Sequence, residues 1–420
     1  MTEQRDTTNT QRDLSDRIFW LPKEHEIKDA ATTDVYFEYT LEALRHGGID
    51  PVVTMEVYTR KSPFPDSNWL VLCGVYEVAK LLEGIPVDVD SMEEGEVFLT
   101  GGDSALYEPV MQITGRYQTF AKYENPILGF LCQASGVCTK AARLSLAARG
   151  KTVISFGTRR VHPALAPMIE RSSFIGGMNS VSNVLGAKLL GMEPSGTMPH
   201  AFILCVGDEV KAWKLFNEAL PRNVPRIALI DTFSDEKFAA IRAIEALGRD
   251  LYGVRLDTPS SRRGDLKKIV EEVRWELSHR GGRNVKIFVS GGLDEKEVSD
   301  LRDVVDGFGV GTSLSAAPVI DFGGKIVEIS DGRGKEIPIS KRGDLSGRKR
   351  VFRDIRNFSD IVTLKNGITT RATTKYTSLL RPLLRDGKIV RRFLSPEELR
   401  ERTANLVRRV SRTTPSLLWN

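Results

Sequence analysis

Cysteine is scarce in this chain: Cys73, Cys132, Cys138 and Cys205 are four residues in 420. None forms a CxxC pair. Cys132 and Cys138 have no further Cys or His at ligand spacing, so neither a zinc site nor a disulfide framework is expected. Long hydrophobic runs are also missing. No apolar stretch reaches the length that spans a bilayer, which argues against a membrane helix. The first twenty residues, MTEQRDTTNTQRDLSDRIFW, carry mixed charge and no signal-peptide core. A cytoplasmic protein is therefore expected, with residues 1–15 frayed.

Hydrophobic residues at 41 % and charged residues at 27 % are enough for a large core shared by two or three domains. The net charge of +5 hides an imbalance. Residues 331–420 hold 22 Lys+Arg against 9 Asp+Glu, a surplus of 13, which leaves the remainder at −8. Such a basic region suits either nucleic acid or small polyanionic substrates. It shows no zinc-finger spacing, aromatic-rich RNA motif or helix-turn-helix pattern, so nucleic acid is the weaker reading.

The pattern along the chain indicates an α/β protein. An N-terminal α/β domain with a helical connector is expected over 1–150, a β/α barrel over 151–320 and a smaller basic C-terminal region over 321–420, packed on the N-terminal domain. TLEALRHGGID (40–50) reads as a helix stopped by glycines, VVTMEVYTR (52–60) as a strand and SNWLVLCGVYEVAKLLEG (67–84) as an amphipathic helix. NPILGFLCQASGVCTKAARLSLAARG (125–150) reads as a long connecting helix. From 151 short apolar runs alternate with helical stretches: TVISF, AFILCV (201–206), RIALID, YGVRLD, VKIFVSGG and GFGVGT. Each run is read as a strand of parallel βαβ units. Segment 330–350 reads as a glycine-rich basic linker or loop.

The polar residues follow these runs directly, at the rim where β/α barrels keep their chemistry. VSGG (289–292) and GVGTS (309–313) end successive strands, and glycines there let backbone N–H groups approach a phosphate. Two plain glycine turns are the alternative. Arg255 and Asp257 alternate on one strand and so face the same side. The aspartate can take ribose hydroxyls or Mg²⁺ and the arginine a carboxylate or phosphate, unless the two form a structural pair. Asp231 repeats the placement. Arg159 and Arg160 in SFGTRR call for an anion or a neighbouring carboxylate. His200, before an apolar run in SGTMPHAFIL, is a candidate nucleophile or proton carrier. Asn179, Ser180, Ser182 and Asn183 stand at a possible helix start, where capping and anion binding compete.

Together these motifs resemble the nicotinate phosphoribosyltransferases, type II phosphoribosyltransferases. The matching pieces run in order from TTDVYFEYTLEAL (32–44) through FGTRR, GGMNSVSNVLGAKLLGMEPSGTMPHAFI, ALIDTF, VRLDT and VSGGLDE to FGVGT (308–312). The resemblance implies an incomplete barrel and a homodimer, or higher homo-oligomer, with a shared active site. It implies transfer of phosphoribosyl from phosphoribosyl pyrophosphate (PRPP) to nicotinate with Mg²⁺, coupled to ATP through a phosphohistidine. Tyr36 would stack on nicotinate in the partner. Arg159 and Arg255 would hold its carboxylate. Ser290, Gly291, Gly292, Gly311 and Thr312 would hold the 5′-phosphate, and Asp257 and Asp231 would face ribose and Mg²⁺. His200 would be the phosphoacceptor and Asp257 its catalytic companion. Ala201 departs from the Ser that many relatives carry after that histidine, and no cysteine follows Cys205, so no zinc is carried over. Nicotinamide and quinolinate enzymes of the same fold are the alternatives.

Overall fold

A computed structural model describes residues 17–102, 105–258, 261, 264–330, 334–354, 356–365 and 376–419. The N-terminus expected to fray lies outside them.

Two sheets carry most of the architecture. The first has seven antiparallel strands in the order Glu336–Pro338, Gly323–Ser330, Val52–Tyr58, Pro109–Arg116, Val87–Ser91, Arg381–Arg385 and Lys388–Ile389. Residues from both ends of the sequence thus interleave in one sheet. The second has six parallel strands in the order Ser180–Val181, Thr152–Ser155, Gly307–Val310, Lys286–Ser290, Gly253–Leu256 and Ile227–Leu229. Helices Glu236–Leu247 and Leu266–His279 cross between its strands, as parallel pairing requires. A four-stranded sheet near the C-terminus joins Tyr376–Ser378, Lys349–Asp354, Ser359–Leu364 and Ser416–Trp419.

Helix Glu124–Ala148 ties the two main cores together. Its Ile127 and Leu131 pack with the antiparallel sheet, while Val137, Ala141, Leu144 and Ala148 pack with the parallel one. At Gly136 the chain leaving the parallel sheet crosses this helix so closely that a Cβ would meet the Pro318 carbonyl oxygen at 2.2 Å.

Three sequence expectations need correction. AFILCV is not a strand: His200–Val206 is a helix. Pro199 precedes it, and Gly207, at φ 78°, ends it by donating from its N–H to the Ile203 carbonyl. Only Ile203 of the run is buried, so a strand buried on both faces is not what the apolar residues serve. This helix and Glu209–Ala219 lie in the chain between Ser180–Val181 and Ile227–Leu229, the two edge strands, which do not pair, and Trp213 donates from its indole to the Leu229 carbonyl at 3.2 Å. The barrel is therefore open. Second, 67–84 is not one helix. Trp69–Val71 is a buried strand, Gly74 turns the chain at φ 94°, and the helix is Val75–Leu82. Third, segment 330–350 is not all loop, because Glu336–Pro338 pairs with Gly323–Ser330.

The charge imbalance has a structural basis. Cations of the C-terminal region reach acidic residues of the N-terminal part. Lys349 pairs with Glu56 at 2.9 Å, Arg348 and Arg385 both bind Asp90 at 2.5 Å, and Arg353 reaches Glu96 at 2.7 Å while also pairing with Asp360 of its own region. The Lys349 and Arg353 pairs are buried and need both partners, because removing one leaves a desolvated charge.

Candidate functional site

Adjacent parallel strands deliver the chemistry at their C-terminal ends. Ile227–Leu229 runs out to Asp231, Gly253–Leu256 to Asp257, and Lys286–Ser290 ends on Ser290 itself. His200 reaches the same place from the first residue of its helix. His200 Nε2 lies 3.1 Å from Asp231 Oδ1, and Nδ1 lies 3.9 Å from Asp257 Oδ2. The other Asp231 oxygen accepts from the Asp257 amide at 2.7 Å and the Thr258 hydroxyl at 3.4 Å. Ser290 donates to Asp257 Oδ1 at 2.7 Å. Burial pushes the Asp231 carboxyl above its ordinary value, while the Asp257 amide and His200 pull it down.

Arg255 completes the group. Its side chain is 11 % exposed and its Nη2 stands 4.0 Å from Asp257 Oδ2. It donates to the Thr197 hydroxyl, and its guanidinium lies 6.0 Å from the centre of the Phe156 ring. Its Nε finds no hydrogen-bond partner among the described residues. Burial draws its pKa down, and the carboxylates of Asp257 and Asp231 oppose that. Arginine starts so high that it remains a cation. A guanidinium presents a planar fork of donors that can meet a carboxylate in bidentate fashion. Phe156 is fixed by Gly309, where a Cβ would stand 2.2 Å from the ring. Phe156 and Thr197 are site residues that sequence reasoning passed over, although both stand inside motifs already singled out, FGTRR and GTMPH.

The remaining candidates divide. Arg159 and Arg160 form the short 3-10 turn Thr158–Arg160 and are exposed, with the charge of Arg159 felt at Arg255. Gly291 and Gly292 follow the Lys286–Ser290 strand at φ 86° and 64°. Gly311 and Thr312 begin the short helix after Gly307–Val310, so both glycine loops lie at the ends of neighbouring parallel strands. The Ser290 hydroxyl is already committed to Asp257. Asn179 is not at this rim: its amide oxygen accepts from Val153 N near the start of the Thr152–Ser155 strand. Ser180 pairs with Ile154 one step further along, and Ser182 and Asn183 are the residues that reach the rim. Asn183 caps helix Val184–Leu189 by accepting from Gly186 N. Tyr36 is half exposed on helix Val35–His46, with its ring 4.4 Å from Phe37 and its hydroxyl 3.4 Å from Asn125. None of these contacts joins it to the histidine and aspartates.

Family models fit this arrangement. The quinolinate phosphoribosyl transferase N-terminal domain matches residues 34–135, and the C-terminal domain matches 137–325. A solved Pyrococcus furiosus structure described as a nicotinate-nucleotide pyrophosphorylase is 50 % identical, covering 94 % of this chain and 99 % of that one, with a TM-score of 0.88. The chain belongs to the type II phosphoribosyltransferases. Nicotinate phosphoribosyltransferase pncB2 of Mycobacterium tuberculosis is 29 % identical to this phosphoribosyltransferase over 362 residues, 78 % of this chain and 76 % of that protein. The human nicotinic acid phosphoribosyltransferase structure shares the fold at 21 % identity, with a TM-score of 0.75 over 91 % of this chain and 94 % of that one. No helix among the described residues is long and apolar enough to cross a membrane.

Proposed function

We propose that this phosphoribosyltransferase joins nicotinate to PRPP. The pyridine nitrogen attacks ribose C1, the bond from C1 to the pyrophosphate oxygen breaks, and nicotinate mononucleotide and pyrophosphate leave. The observation that carries this reading is Arg255, a largely buried guanidinium beside an aromatic ring at the rim where His200, Asp231 and Asp257 converge. It suits the single carboxylate of a flat pyridine, with Arg159 at the loop edge as a second cation. The pyridine nitrogen already has its lone pair, so no strong base is required. Catalysis is then positioning together with charge stabilisation.

Asp257 and Asp231 face the ribose side. The backbone at Ser290, Gly291 and Gly292 and at Gly311 and Thr312 cradles the 5′-phosphate. No group of three or more His, Cys, Asp or Glu able to hold a metal occurs among the described residues. Mg²⁺ would arrive on PRPP oxygens, since this ion uses one or two carboxylates together with substrate phosphates, and Asp257 is the side chain placed to help. When bound, the ion would stabilise charge on the leaving pyrophosphate. His200 serves as phosphoacceptor from ATP. With Nε2–H donating to Asp231, the lone pair on Nδ1 would attack the γ-phosphorus of ATP as its bond to the bridging oxygen breaks and ADP leaves. The enzyme works in the cytoplasm with small molecules rather than nucleic acid, and the internal pairing of its C-terminal cations accounts for part of the basic surplus.

The experiment is turnover of PRPP with nicotinate, nicotinamide or quinolinate. Nicotinate should react far faster than the neutral amide, because a buried guanidinium that loses the substrate carboxylate discriminates by roughly 10²-fold or more. Equal rates on both would remove the assignment, and preference for quinolinate would replace it.

The active site is shared in a homodimer. Val35, Tyr36 and Tyr39 are exposed on one helix and Val184, Leu185 and Leu189 on another, giving each copy apolar faces to cover. Tyr36→Ala should raise the nicotinate Michaelis constant about fivefold, the loss of roughly 1 kcal/mol of ring stacking, and leave the PRPP constant unchanged. An unaltered nicotinate constant would return Tyr36 to packing alone.

A further inference from the structure

The helix Ala166–Ile175 places Glu170 beneath two rim loops. Glu170 is fully buried and forms no ion pair with a described residue. Its Oε1 accepts from the Thr158 hydroxyl at 3.1 Å and from Asn183 N at 3.2 Å. Thr158 immediately precedes Arg159, and Asn183 begins helix Val184–Leu189. The helix is seated against the same side chain: a Cβ at Gly186 would stand 2.9 Å from Glu170 Cβ and Cγ. Burial raises the carboxyl pKa, and the hydrogen bonds from Thr158 and from the Asn183 backbone act against it. A carboxyl group buried without a cation is costly, and an apolar side chain of similar volume would pack there at less cost. Packing alone does not explain a glutamate at this position.

We propose that Glu170 is a positioning residue: one buried carboxyl group ties the arginine-bearing loop 156–160 to the start of helix Val184–Leu189 and so fixes where Arg159 stands relative to Arg255. The inference rests on the nicotinate reading, because it assigns Arg159 to the pyridine carboxylate. The tie is made at Thr158 and Asn183, whereas the neighbouring Gly157 packs against Gly311 and Ser315 of the phosphate loop, so the effect on pyridine binding is expected to exceed the effect on PRPP.

The test is steady-state kinetics and melting of Glu170→Leu, Glu170→Gln and Thr158→Val, all as full chains. Failure of the nicotinate reading would already show in the unmodified enzyme, and the variants would then be assayed on whichever pyridine that enzyme turns over. Glu170→Leu and Thr158→Val should raise the pyridine Michaelis constant on the order of tenfold and leave the PRPP constant within about twofold, as expected for a displaced binding group. Glu170→Gln should stay near the unmodified enzyme, because its amide oxygen can accept the same two bonds. Thr158→Val should melt a few degrees below the unmodified enzyme, because the buried carboxyl loses one of its two hydrogen bonds, about 1–3 kcal/mol. Pyridine constants unchanged in the Leu and Val variants, or pyridine and PRPP constants rising together, would overturn the proposal. If Glu170→Leu does not fold, Thr158→Val decides by the same criteria.

Discussion

Arg255→Ala should lower kcat/KM for nicotinate by roughly two to three orders of magnitude, because truncating one member of a buried charge pair costs about 2–5 kcal/mol. The side chain is well buried, and Thr197 and Asp257 hold it from either side. It cannot be replaced by bulk water without opening the pocket. Arg255→Lys should recover little, since a point charge does not reproduce the planar fork that meets a carboxylate. Nicotinamide, with no carboxylate to lose, should be affected far less, so the preference between the two pyridines should narrow. A variant that weakens both substrates equally would place Arg255 in support of Asp257 and not on the substrate.

The second large effect concerns His200. His200→Ala removes the proposed phosphoacceptor and leaves the glycine loops at 289–292 and 309–313 untouched. PRPP binding should persist, while ATP hydrolysis and ATP stimulation should fall by on the order of 10³-fold, as when a nucleophile is deleted. A slow transfer without ATP should remain. Nicotinate-stimulated ATP hydrolysis in the variant would show that His200 is not the acceptor. A melting curve must accompany the assay, since the Asp231 carboxylate loses its partner at 3.1 Å and a structural histidine would also unfold the rim when removed. The unmodified enzyme's pH dependence is informative too. Burial raises the Asp231 carboxyl, so its ionised form, which orients the imidazole, should be lost on acidification at a higher pH than for an exposed aspartate.

The parallel strands were legible because two-sided burial writes them as short unbroken apolar runs. Val254 and Leu256, like Ile287 and Val289, are wholly enclosed. The first polar residue after each run, Asp257 or Ser290, then falls at the rim by necessity. The same logic failed at AFILCV, where six apolar residues between Pro199 and Gly207 carry no period that separates strand from helix. It failed again at LVLC, whose burial is of the strand kind although helix-forming residues follow; Gly74 marks the break. Asn179 was misplaced for a different reason. The helix start expected in its segment is there, with Asn183 as the cap of Val184–Leu189, but Asn179 lies four residues earlier, just before the two-residue strand Ser180–Val181. The antiparallel sheet was legible only in part, because strand Gly323–Ser330 joins Val52–Tyr58 across more than 260 residues, and no local pattern encodes that pairing. Glu170 was invisible for the same reason: its two donors come from loops that only the fold brings together.

The most direct measurement is a crystal structure of the enzyme with nicotinate mononucleotide bound. The pyridine carboxylate should lie on Arg255 with the ring beside Phe156. The ribose should face Asp257 and Asp231, and the 5′-phosphate should rest on the backbone at 290–292 and 311–312. Tyr36 of a second copy should close the far side of the ring. A nucleotide bound away from His200, Asp231 and Asp257, or held with its carboxylate turned from Arg255, would contradict the account.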